Sequence, residues 1–167
     1  MDSSIIITFA IPLFFGLILI EFFYGVITKQ NNYRINDAIT SMSLGLISRF
    51  VPILGLGFQY VVYKAVAEHY NLKLLSGEEI WVWVTAFILY DICYYWMHRI
   101  HHEIKVFWAT HVVHHHGEEF NLATALRQTS TGFLWKWVFF LPIFIIGIPP
   151  QMYVTVAGLN LVYQFWV

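Results

Sequence analysis

Charge is what this sequence has least of. Asp, Glu, Lys and Arg make up 11% of its 167 residues, where a soluble domain carries about 25%. Nine basic against ten acidic side chains leave a formal net charge of −1, so there is no basic field for nucleic acid and no nucleic-acid partner is expected. A single cysteine, Cys93, excludes an internal disulfide framework. Lying in an apolar run, it reads as a small packed side chain. Met1-Asp2-Ser3-Ser4 lacks the positive region of a secretory signal, and the apolar run behind it is longer than a signal needs. That run reads as a retained first transmembrane helix. Repeats, low-complexity tracts and a dividing linker are also missing, which predicts one membrane domain over residues 1–167.

What is there is apolar: 59% hydrophobic and 19% aromatic residues, with a mean hydropathy of +0.64. This composition predicts an all-α integral membrane protein, a helical bundle of about four to five transmembrane helices. The first segment, Ile5 to Ile27, is long enough to cross a hydrocarbon core of ~30 Å. Glu21 near its end reads as an interfacial acid. Segment two, Ala38 to Val66, is interrupted by Arg49, Pro52, Gly55 and Gly57. It is either one kinked span or an interfacial piece followed by a span, with Arg49 snorkelling to the interface. Asn36 or Asp37 is a plausible N-cap for it. Segment three is Ile80 to Met97, segment four Gly132 to Gly147, and segment five Met152 to Val167. Pro149-Pro150 ends one helix and turns the chain into the next. With the N-terminus outside, Lys29, Arg34, Arg99, Lys105 and Arg127 fall inside, which puts the end of segment three at the inner, cytoplasmic face.

Seven of the eight histidines lie between His98 and His116, directly after segment three. On a helix, Asp91, Tyr95, His98 and His102 fall within about 60° of one another. His98 and His102 are i and i+4, so both imidazoles can reach one metal or two neighbouring ones. His111, His114 and His115 repeat this logic at i, i+3 and i+4. One unbroken helix would put His102 and His111 on opposite sides, since nine residues turn it by about 900°. A shared site therefore predicts a break between Glu103 and Trp108. His101 and His116 fall outside the i, i+4 pattern and read as bystanders. Asp91 either accepts the second ring N–H of a ligand histidine or bonds Tyr95 or another helix as a buried carboxylate. Imidazole suits Fe, Zn, Cu and Ni alike, and five ligands exceed the number one zinc takes, so two metals are the more natural count. A histidine-rich site at a membrane surface suits oxygen activation against a lipid C–H bond. A structural membrane protein with a zinc site is the competing reading.

From Asp91 onward the residues resemble the fatty acid hydroxylase/sterol desaturase superfamily of integral-membrane di-iron enzymes. Asp91-Ile-Cys-Tyr-Tyr-Trp-Met-His98-Arg99 is similar to the entry into that family's first histidine box, His98-Arg-Ile-His-His102 to the box, and His111-Val-Val-His114-His115 to the second box. Glu118 to Thr129, then Pro149-Pro150, then Asn160 to Trp166 resemble the alkylglycerol monooxygenase branch. The first two segments carry no such motif. The resemblance implies O2-dependent hydroxylation or desaturation of a membrane lipid (an alkylglycerol ether, a fatty acyl chain or a sterol). It implies two iron ions held by His98, His102, His111, His114 and His115. In that branch the reductant is tetrahydrobiopterin, and Glu103 is its candidate contact, with an interfacial acid as the alternative. Other branches draw electrons from a cytochrome b5 or ferredoxin-type protein. Glu118, Asn121 and Arg127 are candidates to orient ligands or a lipid headgroup.

The sequence departs from the family in two places. His116 stands where the family commonly has serine. The family's third histidine set would begin directly after Val167, so the chain reads as the N-terminal portion of such an enzyme, inactive alone as a truncated metal-binding fragment. The implied location is the endoplasmic reticulum in a eukaryote or the inner membrane in a bacterium.

Overall fold

The structure, a computed structural model, describes residues 3–30, 32–54, 57–75, 77 and 79–166, the side chains of 3–8, 49 and 51–54 excepted. The expectation for the Arg49 side chain lies outside the described residues. The fold is helical, with no strand among the described residues. Helix α1 spans Ser3–Thr28, α2 Ile35–Leu54, α3 Phe58–His69 and α4 Ile80–Glu103. A short α5, Lys105–His111, runs into a 3-10 turn at Val112–His115. Then come the single turn α6, Leu122–Ala125, a 3-10 turn at Gly132–Leu134, α7 at Lys136–Ile146 and α8 at Pro150–Gln164.

Among the described residues two helices are long and apolar enough to cross a membrane, α1 from Phe9 to Thr28 and α4 from Ile80 to Glu103. Only 22% and 17% of these stretches are buried inside the protein, so neither is the covered core helix of a soluble domain. The side chains they leave outside, such as Phe9, Ile20, Ile27, Ile80 and Ile88, form the apolar surface that a bilayer covers. The expectation of four to five spans is therefore met by two on length and composition. Segment two divides into α2 and α3, with Gly57 at φ 68° before α3 and residues 55 and 56 outside the described residues. Segments four and five form shorter helices: the 11 residues of α7 extend about 16 Å at ~1.5 Å per residue, against the ~30 Å of hydrocarbon.

The main core lies where α3, α4, α7 and α8 meet. Val82, Phe144, Ile143 and Ile148 are sealed there. Tyr63 stacks on Phe144 with ring centroids 4.3 Å apart, and Tyr90 stacks on Phe140 at 4.8 Å. Helix α7 ends at Gly147, whose φ of 128° suits a residue without Cβ. Leu72 and Leu74 donate to the carbonyls of Ile145 and Ile146, meeting acceptors that the helix end leaves open. Pro149 and Pro150 then stand at the N-cap and first position of α8, as their sequence predicts. A second cluster joins α1 to α8 through Phe14 stacked on Phe165 at 3.9 Å. A third, of Ile18, Ala38 and Ala123, joins α1, α2 and α6.

Candidate metal centre

Helix α4 stops where a shared site needs it to. Ile104 leaves the helical region at φ −103° and ψ 121°, between Glu103 and Lys105. The break costs little bonding, because the Ile104 N–H still reaches the Ile100 carbonyl at 3.0 Å. The Ile104 carbonyl then accepts from Phe107 and Trp108 to start α5. Thr129 Oγ1 donates to the Thr110 carbonyl at 2.6 Å and pins the far end of α5. The 3-10 turn behind it swings His114 and His115 round. The predicted break thus folds the second histidine run back onto the first.

One ligand nitrogen from each of His98, His102, His111 and His115 lies within 4.8 Å of the other three. The Nε2 atoms of His98 and His102 are 3.0 Å apart, and those of His111 and His115 are 3.2 Å apart. Two nitrogens each ~2.1 Å from one ion, at about a right angle, stand about 3.0 Å apart. Each i, i+4 pair therefore already has the spacing of neighbouring ligands on one ion, and the all-nitrogen donor set fits a transition metal. Among the described residues, the buried side-chain polar atoms without a hydrogen-bond partner are His98 Nδ1, His101 Nε2 and His111 Nδ1. Buried polar atoms are normally satisfied. Three orphans in one imidazole cluster point to a ligand or coordinated group. Burial, and after it the imidazoles of His98, His114, His115 and His102, lower His111 to about 3. His115 is lowered by burial first and by His114 and His102 next. Both rings are therefore neutral near pH 7, and each keeps one ring nitrogen with a lone pair to offer.

His114 stands at the rim. It lies outside the four-nitrogen group, with its ring 5.5 Å from that of His111, and its Nδ1 donates to the Arg127 carbonyl at 2.6 Å. His101, which its spacing left aside, is 1% exposed. Its Nδ1 donates to the Met97 carbonyl at 2.7 Å, and its ring centroid is 5.6 Å from that of His111. His116 follows the turn and is exposed.

The remaining candidates sit away from the imidazoles. The recorded partner of Asp91 is Asn160, whose Nδ2 is 3.4 Å from Oδ1, and Asn160 in turn accepts from Gln164. Glu103, at the exposed end of α4, pairs with Arg99 at 2.8 Å. Glu118 pairs with Arg34, and its backbone N–H donates to Asp37 at 3.2 Å. Asn121 caps α6 by accepting from the Thr124 N–H at 3.1 Å, and donates to the Asn32 carbonyl at 2.8 Å. Glu118 and Asn121 thus fasten the loop behind the histidines to the N-terminal helices. Sequence reasoning passed over Glu21 and Asp37 in this fastening. Glu21, read as interfacial, accepts from the Tyr33 hydroxyl and, at 2.8 Å, from the Leu122 N–H. Asp37, read as an N-cap, forms an ion pair with Arg127 at 2.8 Å. A carboxylate inside or beside an apolar segment was the available signal for both.

The fold and site together define a helical protein with membrane-length helices and a histidine cluster whose nitrogens are placed to hold a metal ion. The family model for fatty acid hydroxylase matches residues 83–167. The chain belongs to the fatty acid hydroxylase family. It is also similar to alkylglycerol monooxygenases. It is 38% identical to that of Danio rerio over 95% of this chain and 35% of the relative. For Homo sapiens the identity is 38%, over 95% and 36%, and for Xenopus tropicalis 36%, over 92% and 34%. The chain spans about a third of the length of these relatives. The similarity takes in the first two segments, where no family motif was recognisable. No solved structure matches.

Proposed function

We propose that the whole protein is an O2-dependent lipid monooxygenase acting on a membrane lipid, with the glycerol ether as the preferred substrate class. The observation that carries this reading is the set of four imidazole nitrogens within 4.8 Å in a chain similar to alkylglycerol monooxygenases. His98, His102, His111, His114 and His115 would hold two iron ions. Bound iron supplies the activation of O2. His111 is itself shielded from water, being 5% exposed, and its lowered pKa keeps protons from competing for its ligand lone pair.

Hydroxylation of the carbon beside an ether oxygen gives a hemiacetal, which collapses to an aldehyde and an alcohol. One oxygen atom of O2 enters the lipid and the other leaves as water, so two electrons and two protons are required. Tetrahydrobiopterin is the proposed reductant, with Glu103 at the polar end of α4 as its contact. A cytochrome b5 or ferredoxin-type carrier is the alternative donor. Asp91, Glu118 and Asn121 act at one remove by holding neighbouring elements in place. The two membrane-length helices support an integral membrane location, in the endoplasmic reticulum of a eukaryote or the inner membrane of a bacterium. The basic residues Arg99, Lys105 and Arg127 favour a cytoplasmic histidine face.

The test is turnover of a 1-O-alkylglycerol by membranes containing the full-length protein, supplied with O2 and tetrahydrobiopterin, with fatty aldehyde as the readout. Aldehyde formation that is lost in His102→Ala supports the proposal. Equal turnover in wild type and His102→Ala removes the metal site from the mechanism.

A further inference from the structure

We infer that Arg127 is a positioning residue for His114, and that the N-terminal helices hold the second histidine run in place through Asp37. The inference rests on the metal-centre reading above. Arg127 is 6% exposed and meets His114 at two points, the peptide before it and its ring. Its Nε donates to the Val113 carbonyl, immediately before His114, at 2.9 Å. Its own carbonyl accepts from His114 Nδ1 at 2.6 Å. A carbonyl can only accept, so Nδ1 carries the proton and Nε2 keeps the lone pair with which a histidine binds a metal. The second arm of the guanidinium donates to Asp37 Oδ1 at 2.8 Å and to Ser41 Oγ at 3.1 Å. The backbone carbonyl of Arg127 thus sets the ring orientation and tautomer of His114, and its side chain ties the peptide before His114 to α2.

The surroundings fit this role. Gly45, two turns beyond Asp37 on α2, lies so close to Leu126, the residue before Arg127, that an added Cβ would stand 2.5 Å from the Leu126 carbonyl oxygen. Asp37 Oδ2 accepts from the Glu118 N–H, so both carboxylate oxygens are engaged. A planar guanidinium can serve the Val113 carbonyl and Asp37 together, whereas a lysine ammonium at the end of a flexible stem cannot hold both in fixed directions.

The experiment is a Co2+ titration of the full-length protein, purified in detergent and stripped of metal, read by the d–d absorption of bound cobalt beside a thermal melt. The variants are Arg127→Met, Arg127→Lys and Asp37→Asn. Tyr33→Phe is the control, because it removes a bond between α1 and the link to α2 without touching the His114 cradle. Arg127→Met is expected to weaken Co2+ binding by about 10- to 100-fold and to change the d–d spectrum at saturation. Asp37→Asn shifts both in the same direction by less. Arg127→Lys is expected to recover the melting temperature without recovering the spectrum. Tyr33→Phe lowers the melting temperature and keeps the wild-type spectrum. Wild-type affinity and spectrum in Asp37→Asn and Arg127→Lys overturn the inference, even if Arg127→Met does not fold. An equal spectral change in Tyr33→Phe also overturns it, because general loosening would then be the cause. Cobalt binding in the wild type with no effect of these variants sinks this inference alone; no cobalt binding in the wild type sinks it together with the metal centre.

Discussion

The histidine hairpin from His98 to His115 and the polar strap from Glu118 to Thr129 are neighbours in the chain, but they meet their polar groups in opposite ways. In the strap, Asn121, Thr124, Arg127 and Thr129 all have partners, many of them on α1, α2 or the link between them. In the hairpin, buried nitrogens of His98, His101 and His111 have none among the described residues. An unpaired buried polar atom costs about 1–3 kcal/mol, so the hairpin holds a local cost that the strap does not. The strap is complete as a piece of protein, whereas the hairpin gathers imidazoles whose polar atoms the rest of the described protein does not fully satisfy.

The sharpest way to break this contrast is to remove a hairpin nitrogen. His111→Leu is expected to lower metal affinity by more than the ~10- to 100-fold of an outer-shell loss, measured by Co2+ titration. In the metal-free protein the same change leaves the melting temperature unchanged or raised, because an unsatisfied buried atom is replaced by an apolar one. A fall of several degrees without metal would show that His111 is satisfied after all. The pH dependence has a definite sign. Between about 6.5 and 3 the unfolded chain takes up a proton at His111 that the folded chain refuses. The metal-free fold therefore loses stability as pH falls through that window, and His111→Leu flattens the slope. The strap responds the other way. Asp37→Ala leaves the buried Arg127 guanidinium without its carboxylate, at a cost of about 3–5 kcal/mol whether or not metal is present, measured by denaturant or thermal unfolding.

The hairpin was the legible half. Its histidine spacing and the phase of a 3.6-residue helix required a break before Trp108, and the break stands at Ile104. The double proline likewise marked the turn between α7 and α8. The strap was less legible, because Glu21 and Asp37 are separated from their partners Leu122 and Arg127 by 101 and 90 residues. No local pattern relates residues that far apart. Spacing also said nothing of the burial of His101: i, i+4 arithmetic sees which residues share a face with His98, but not which face the neighbouring helices bury. Hydropathy likewise marks apolar runs without showing their helical length: among the described residues two helices reach membrane length, and the 11 residues of α7 do not.

Smaller changes separate the two regions further. Asn121→Ala removes the cap of α6 and the bond to the Asn32 carbonyl. A cap is worth about 1 kcal/mol, so a drop of that order in unfolding free energy is expected, with metal affinity within twofold of wild type. A drop in affinity as large as that of His111→Leu would merge the strap with the metal site and erase the contrast.

The smallest expected effect tests whether the hairpin's bend is written in its backbone. Ile104 is β-branched and takes an extended conformation between two helices, a conformation its side chain favours. Alanine there would favour an unbroken helix by about 0.5 kcal/mol, and in that helix His102 and His111 point to opposite sides. A shift of this size can lower the population of the bent form, and hence the apparent metal affinity, by at most about twofold. Ile104→Val keeps the β-branch and is expected to bind as the wild type does. If Ile104→Ala binds Co2+ as tightly as Ile104→Val, the bend is not set at residue 104. The bonds that pin the far side, Thr129 to Thr110 and Arg127 to Val113, would then be what folds the second histidine run onto the first, and the hairpin's geometry would belong to the strap.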